Sequence, residues 1–536
     1  MNRTALASTK WRTRAFAAAM ALLASVTFLV SCIDKRTPEQ QKNTLVYGFG
    51  QTFKTFDPAK VVYAQEAAII MQVQETLVVF DENLKLKGCL ATSWETPDHC
   101  NSWVFHLRPN VKFHDGLPFT SDAVKFTFER ILDPKTASTR SRLWEEIAQI
   151  DTPDDLTVVF RLKAPNCVFP EKLVSSSASI PSPAAVQQLG EKYATNPVGT
   201  GPFKFVDWVP DVVIRMKKNH EHWNADNYHI ENLEFRSVKE NTTRFIELEQ
   251  GVLDIADLEF PQVNVARKSS DIELQSVPQL SIRYVGFNTQ KPPFSDRRVR
   301  QAANYAVNKD DLIKYMFFGV GEPAIGPIPS VLPGFNPNVH VYNYDPEKAK
   351  ELLAEAGYPN GFDADFWTYE QGIYRSTADY VVESLRNVGI NAKMKILDNG
   401  AYWDKFDAYI TPDGKRYPTK EGVFDIFVGG WVGGETVEGF LDPLFRSNSN
   451  SNSSFYNNAE VDKLLVDYKT KESVEERLAI YRRLQEIIVE DAPWIFAFHG
   501  QLNTGVRKHV KGYRTNPSLL YNLEGVTLEP ESVNKK

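Results

Sequence analysis

The residues best suited to binding chemistry lie in the segment 424–435, Phe-Asp-Ile-Phe-Val-Gly-Gly-Trp-Val-Gly-Gly-Glu. An apolar strand leads here into four glycines that surround one tryptophan. Glycine inside or just after a strand often marks a point where another backbone or a ligand approaches closely. The segment therefore predicts a contact site for a ligand or a second backbone around Trp431, Gly433 and Gly434.

No motif for catalysis or metal binding accompanies this segment. The sequence contains no Gly-x-Ser-x-Gly, no His-Glu-x-x-His and no Walker-type phosphate loop, which disfavours an exported hydrolase. His220 and His222 lack acidic or cysteine partners at metal-ligand spacing. His114 and Asp115 lie in a Phe-His-Asp-Gly turn, which we expect them to order through local backbone hydrogen bonds. The sequence thus predicts no enzyme, no cofactor and no bound metal.

A second informative residue is Cys32, at the end of an N-terminal leader. Four basic residues precede an uncharged stretch, 15–30, that is shorter than the roughly twenty residues needed to span a membrane. Such a leader is typical of a cleavable export signal. Its last residues, Leu-Val-Ser-Cys, resemble the lipobox of bacterial lipoproteins. We expect residues 1–31 to be removed and Cys32 to be acylated, and the alternative is a secreted protein with an incidental thiol at this position.

Charge and cysteine content narrow the class further. Removal of residues 1–31 takes away four positive charges and no negative ones, which moves the formal charge from −7 to −11. Without a basic stripe, a nucleic-acid partner is disfavoured. About 505 residues remain, enough for two or three domains. Cys89, Cys100 and Cys167 allow at most one intramolecular disulfide, and the sequence leaves open which pair forms it.

The elements that must position these residues mix helices and strands over the whole chain, which indicates an α/β protein. We expect residues 32–43 to form a flexible stalk and the Ser/Asn tract 447–454 to be an exposed loop. The predicted strands are 45–49, 91–95, 102–107, 157–162, 212–216, 232–237, 390–396 and 492–498. The predicted helices are 123–131, 242–249, 296–304, 346–356, 377–387 and 474–490.

A series of short motifs connects these elements in a fixed order. They are Glu-Thr-Leu-Val at 75–78, Leu-Ala-Thr-Ser-Trp-Glu at 90–95, Val-Lys-Phe-His-Asp-Gly at 111–116, Asn-Pro-Val-Gly-Thr-Gly-Pro-Phe at 196–203, Tyr-Val-Gly-Phe-Asn-Thr at 284–289, Tyr-Asp-Pro-Glu-Lys-Ala at 344–349 and Glu-Asp-Ala-Pro-Trp at 490–494. Their order resembles that of the family 5 solute-binding proteins, the oligopeptide-, dipeptide- and nickel-binding components of ABC importers. The resemblance covers essentially the whole chain after the stalk.

The resemblance implies a two-lobed periplasmic-binding-protein fold with an extra subdomain inserted in the first lobe. Carried onto this sequence, the first lobe is 44–73, 179–278 and 492–536, the inserted subdomain is 74–178 and the second lobe is 279–491. The ligand is enclosed between the lobes.

The resemblance also implies roles for the segment 424–435. In peptide-binding relatives it bonds an extended peptide as an added strand, and an aspartate three residues after the tryptophan pairs with the peptide's ammonium group. This chain has Gly434 there, so either Glu435 supplies the charge or the ligand is not a free-amine peptide. Arg375 is a candidate carboxylate clamp or a surface arginine. Phe53 and Tyr63 are candidate walls of the cleft or packing residues.

The implied function is capture of a peptide by a membrane-anchored binding protein that delivers it to the permease and ATPase subunits of an importer. We expect a monomer held outside the cytoplasm, in the periplasm or on the outer face of the cytoplasmic membrane. Binding of a nickel chelate, haem or sugar on the same fold is the alternative, and a sensor role without a transporter is not separable from import by sequence.

Overall fold

The computed structural model describes residues 38–62, 64–81, 84–370, 372–398, 400, 402, 409–410, 416–417 and 424–530. The predicted signal peptide, Cys32 and Tyr63 lie outside the described residues. Of the predicted stalk, Pro38–Asn43 forms a short helix. Glu39 in its first turn and Lys42 in its last turn complement the helix dipole, a local signal that composition alone does not reveal.

The first lobe, as we name it here, is built on a seven-stranded sheet. Its first strand is central, runs parallel to both of its neighbours and is fully buried along its length. In sheet order the strands are Ile272–Pro278, Gln501–Arg507, Ile255–Asp257, Thr44–Phe49, Asn232–Ser237, Val213–Lys218 and Phe203–Val209.

The second lobe is built on a six-stranded sheet that is covered by helices on both faces. Side chains alternate along its strands, so Tyr284 and Phe496 pack into one core cluster while Val285 and Ile495 pack into another. In sheet order the strands are Glu322–Pro323, Trp494–His499, Ser281–Phe287, Ile426–Val432, Phe362–Tyr369 and Ile390–Leu397.

A third, four-stranded sheet has a hydrophobic core of its own. Its order is Ala91–Glu95, Ser102–Leu107, Thr157–Leu162 and Ile147–Asp154, and the predicted hairpin at 91–107 is confirmed as an antiparallel pair. A disulfide joins Cys100 to Cys167 at the side of this sheet, and Cys89 is a buried free thiol. This settles the pairing that the sequence left open.

The chain crosses between the two large sheets at two adjacent points. Strand Ile272–Pro278 of the first lobe is followed by strand Ser281–Phe287 of the second, and the Gln279 N–H donates to Gly500 O at 2.8 Å. The return crossing is at Gly500 rather than at the predicted limit of 492, because Trp494–His499 still pairs with the second lobe. The fold is thus α/β and two-lobed, while the exact limits of the lobes stay predictions.

The helices follow the predicted pattern with shifted ends. The α-helices are Pro38–Asn43, Ala64–Ile70, Ser121–Leu132, Phe169–Lys172, Pro183–Leu189, Asn241–Glu249, Gln262–Ala266, Arg297–Tyr305, Lys309–Met316, Pro346–Glu355, Gly372–Arg386, Glu438–Phe445, Ala459–Asp467 and Val474–Asp491. Within the described part of the chain, no helix has both the length and the apolar character needed to cross a membrane.

The Ser/Asn tract 447–454 was predicted to be an exposed loop, but the structure buries part of it. Asn452 and Ser454 are each only 1% exposed. The Asn452 side chain donates to Arg446 O and Tyr456 O, and Ser454 Oγ accepts from Trp494 Nε1 at 2.9 Å. Polar residues are tolerated in the interior when their hydrogen bonds are satisfied, so composition misjudged this tract.

We predict that the disulfide stabilises the protein measurably. Replacing both Cys100 and Cys167 with alanine should lower the free energy of unfolding by about 2–4 kcal/mol, because the bridge restricts a long loop of the unfolded chain. Denaturant unfolding followed by tryptophan fluorescence measures this. A reductant should destabilise the wild type by a similar amount and leave the double variant unchanged; equal effects on both proteins would contradict the prediction.

Candidate functional site

The segment 424–435 lies where the two lobes meet. Strand Ile426–Val432 runs parallel to Phe362–Tyr369, so both end at the same edge of the second-lobe sheet. The Gly433 N–H then donates to Leu280 O at 3.3 Å, and Leu280 is in the first crossing between the lobes. Ligands of open α/β sheets bind outside the carboxyl ends of parallel strands, which makes this edge the candidate site.

The end of strand Ile426–Val432 carries a ladder on one side only. It pairs with Ser281–Phe287 along its whole length. Its pairing with Phe362–Tyr369 stops at Phe427, and Tyr402 Oη donates to Val428 O beyond that point. Among the strands that the structure describes, none pairs with residues 428–432 on this second side. An extended ligand has a place here to bond the backbone as an added strand.

The glycines of the segment are required for different structural reasons. A Cβ at Gly429 would lie 2.3 Å from the Tyr284 ring, and one at Gly433 would lie 2.3 Å from the Phe440 ring. Gly434 has φ +73° and nothing within 4 Å of its Cβ position, so it is needed for its backbone conformation and faces open space. Packing therefore explains two of these glycines, and Gly434 is the one that leaves room for a ligand.

Trp431 is fixed by an internal hydrogen bond. Its Nε1 donates to Gly439 O at 2.7 Å, which ties the strand end to helix Glu438–Phe445. The ring is half-buried against the second-lobe core. The indole N–H is thus committed to the protein, and the ring offers a ligand only an apolar surface.

Glu435 is the acidic group of the site. Its side chain is partly exposed, yet burial raises the pKa of its carboxyl to about 7. Its own backbone N–H donates to the carboxyl, and among the described residues no other hydrogen bond and no ion pair is formed with it. A carboxylate held in this way is stabilised by an arriving positive charge.

Tyrosine side chains line the same edge of the sheet. The Tyr369 ring lies 4.3 Å from Tyr374 and 4.9 Å from Tyr402, measured between ring centroids. Burial raises the pKa of Tyr284 and Tyr369 well above the usual value, so their hydroxyls stay neutral. Sequence reasoning missed this cluster, because its members come from two strands, from helix Gly372–Arg386 and from position 402, and no local pattern connects them.

The remaining predicted residues lie elsewhere. Helix Gly372–Arg386 begins five residues before the predicted start at 377, so Arg375 lies in its first turn, where Nε pairs with Asp379 at 2.9 Å. Phe53 is 7% exposed and packs against Phe56 at 4.6 Å and Trp208 at 5.1 Å, inside the first-lobe core. These positions favour the surface and packing interpretations.

His222 takes part in a buried pair that the sequence did not indicate. Its Nε2 lies 3.0 Å from Glu75 Oε1, which also accepts from Trp223 Nε1 at 3.0 Å. Burial by itself raises the pKa of Glu75, but the hydrogen bond and charge of His222 outweigh it and the pKa is lowered. Asp115 Oδ1 accepts from the Leu117 N–H at 3.1 Å and orders the turn as expected, whereas His114 Nε2 lies 2.9 Å from Gly201 O, a backbone group distant in sequence, and so ties the turn to another segment.

Glu75 and Trp223 also line a cavity of about 430 Å³ on the first-lobe side. The cavity lies between the segment 71–76 that follows helix Ala64–Ile70, the hairpin near 78–88 and the C-terminal segment 514–524. None of its described lining residues comes from 279–499, so it is separate from the edge that carries Glu435.

Two lobes joined by paired crossings, with a glycine-rich strand end between them, are the architecture of a solute-binding protein. The model of the bacterial extracellular solute-binding proteins, family 5, matches residues 85–452. The chain belongs to this family, whose members bind solutes and are not enzymes. Members are extracellular or periplasmic and serve ABC transporters.

Individual relatives cover nearly the whole chain. The glutathione-binding protein GsiB of Pectobacterium atrosepticum is 33% identical over 90% of this chain and 94% of its own length. HbpA2 from Haemophilus parasuis is 28% identical, with a TM-score of 0.83 over 91% of this chain and all of its own. The DppA protein of Helicobacter pylori, solved with the peptide STSA, is 29% identical, with a TM-score of 0.74 over 92% and 99% of the two chains.

We predict that Gly433 is required for packing of the loop. Gly433→Ala should lower the free energy of unfolding by about 1–3 kcal/mol, since its Cβ would overlap the Phe440 ring. Gly433→Ala should cost less free energy of unfolding when it is introduced into Phe440→Leu than when it is introduced into the wild type. Denaturant unfolding tests this cycle, and strictly additive effects would show that the two residues do not interact.

Proposed function

We propose that this protein is the lipid-anchored binding component of an ABC importer and captures short peptides with a free ammonium group, glutathione first among them. The observation that carries the proposal is the carboxyl of Glu435 at the interlobe edge, to which the described residues supply no cation. A carboxylate that loses hydration without gaining a cation is costly, and an ammonium group of the ligand removes that cost. The glutathione-binding name of the GsiB relatives supports the same class of solute.

Glu435 takes the place of the aspartate expected three residues after Trp431. Gly434 occupies that position and its left-handed backbone turns the chain, so the acidic group arrives one residue later on a longer side chain. Beyond Val428, whose carbonyl accepts from Tyr402, no described strand pairs with this side of residues 429–432, and its backbone can supply hydrogen bonds that do not depend on the ligand's side chains. One charge contact for the amine and backbone bonds for the rest suit a short peptide.

Ligand binding is coupled to closure of the lobes. The Glu435 loop is bonded to the first crossing through Gly433 and Leu280, so a ligand held there contacts the second lobe and faces the first. A ligand shifts the equilibrium between open and closed forms only by its difference in affinity for the two. The closed, loaded form is the one that the importer's permease and ATPase subunits recognise.

The anchor and the oligomeric state follow from the same proposal. Acylation at Cys32 would hold a monomer at the membrane outside the cytoplasm, and two or more acyl chains are enough for stable attachment. Palmitate labelling of the full chain in cells, compared with Cys32→Ala, tests the anchor: label should appear in the wild type and be lost in the variant.

Calorimetry on the purified protein tests the ligand class. We expect binding of glutathione with a dissociation constant in the micromolar range or below, and weaker binding of the tripeptide Ala-Ala-Ala. A mixture of histidine and nickel serves as the non-peptide arm. Binding of the nickel mixture with neither peptide bound would replace the proposal with the chelate alternative.

We predict that Glu435→Gln weakens binding of glutathione by about 10- to 100-fold, the loss expected for one charge-assisted hydrogen bond. The same change should leave the affinity for N-acetylglutathione nearly unaltered, because that ligand has no ammonium group. Glu460→Gln, an exposed acid of the same lobe paired with Arg483, is the matched control. Equal losses for both ligands would remove the ammonium-binding role from Glu435.

The affinity for glutathione should depend on pH through Glu435. Its pKa in the free protein is raised to about 7, so the protonated form predominates below that pH and the binding-competent carboxylate above it. We therefore expect affinity to fall by up to about tenfold per pH unit between pH 7 and pH 5. Calorimetry across this range measures it. A slope that persists in Glu435→Gln would assign the dependence to another group.

A further inference from the structure

Arg283 is a charged residue of the second-lobe sheet, and no acidic side chain of the described residues pairs with it. It lies on strand Ser281–Phe287, opposite Gly430 in the antiparallel ladder. One hydrogen bond of its side chain is to Ile282 O, at 3.2 Å from Nη1. Its Nε is buried and has no hydrogen-bond partner, and among the described residues it forms no ion pair.

The guanidinium of Arg283 lies beside the aromatic ring of Tyr374. The centre of the guanidinium lies 5.3 Å from the centroid of the Tyr374 ring. A Cβ at Gly430 would lie 2.6 Å from Arg283 Nη1 and 2.7 Å from Tyr374 Oη. The glycine at position 430 therefore makes room for both groups at the strand whose end carries Glu435.

An arginine in this setting is suited to an anion from solution. Its planar fork of donors matches a carboxylate, and an incompletely hydrated guanidinium without a counter-charge gains most from one. The Tyr374 hydroxyl beside it can add a further hydrogen-bond donor. A positively charged or apolar ligand group would leave the buried Nε–H without a hydrogen-bond acceptor, which is unfavourable.

We propose that Arg283, with Tyr374 beside it, binds a carboxylate of the same solute whose ammonium group meets Glu435. This inference rests on the proposed function and narrows it. Glu435 recognises the amino end of the ligand and Arg283 an acidic group further along it. Together they select a zwitterionic solute over a neutral or purely cationic one.

The spacing of the two groups limits the length of that solute. Arg283 is level with Gly430, and a strand advances about 3.3 Å per residue, so Val432 lies about 7 Å further on and Glu435 follows after a short loop. The two charges are therefore on the order of 10 Å apart. An extended chain covers about 3.3–3.6 Å per residue, so two or three residues bridge them.

The test compares glutathione with its glycine amide, which keeps the ammonium group and lacks the terminal carboxylate. Calorimetry on the purified wild type should show glutathione bound at least about tenfold more tightly than the amide, as expected for a charge-assisted pair. In Arg283→Gln, glutathione should lose about 10- to 100-fold in affinity while the amide changes little, so the preference disappears. Arg283→Lys keeps the positive charge but lacks the planar guanidinium, so it should retain part of the preference for glutathione over the amide.

The controls separate binding from folding. Arg386→Gln removes an exposed arginine that pairs with Glu383 at the end of helix Gly372–Arg386, and it should leave both affinities unchanged. Thermal unfolding of each variant reports the fold. If Arg283 only supported Tyr374, both ligands would lose affinity equally in Arg283→Gln, and the proposal would be overturned.

Failure of this inference is distinguishable from failure of the proposed function. A wild type that binds glutathione and the amide equally, or an Arg283→Gln variant that keeps the preference, would overturn the carboxylate role and leave the peptide function intact. A wild type that binds neither ligand would contradict the proposed function itself.

Discussion

The structure depends on how the glycine-rich loop is tied to the connection between the lobes. Gln279 bonds to Gly500 across the two crossings, and Gly433 bonds to Leu280 in the first of them. The loop that carries Glu435 is therefore fixed to the segment about which the lobes must move. Any group that draws Glu435 toward the first lobe acts directly on that connection, which is why one acidic side chain can report on closure.

Other contacts hold the lobes together in this conformation. Next to the disulfide, the Cys167 N–H donates to Lys469 O at 2.7 Å, and Arg477 lies 3.6 Å from Glu171. Burial raises the pKa of Glu171 to about 7, and Arg477 opposes that rise. On the other side of the molecule the rings of Phe260 and Phe318 stack with centroids 3.5 Å apart. In this conformation several small contacts at separate places thus join the two lobes.

Local sequence patterns were sufficient to predict most of the helices and strands. They did not predict the environment of residues whose hydrogen-bond partners are distant in the sequence. The helix predicted over 296–304 is present, and Asp296 caps it by accepting from the Arg298 N–H at 2.8 Å. Arg300 in this helix is only 6% exposed, because the carbonyls of Phe294 and Asp491 accept its hydrogen bonds, and no local pattern reveals these distant partners. The helix that begins at Gly372 was predicted to start at 377, since its first turn lacks a capping signal.

The candidate site divides in the same way. Glu435 could be proposed from the sequence through the family resemblance, because relatives carry an acidic residue close after the corresponding tryptophan. Arg283 could not, because its relation to Gly430 exists only through strand register. The pairing of Cys100 with Cys167 likewise requires the folded sheet.

A crystal structure of the protein with glutathione tests the central claim most directly. The account predicts the ligand between the lobes, with its ammonium nitrogen about 3 Å from a carboxylate oxygen of Glu435. Glutathione found instead in the first-lobe cavity beside Tyr228 and Glu524, or in the cleft with its ammonium group against a different acid, would contradict it.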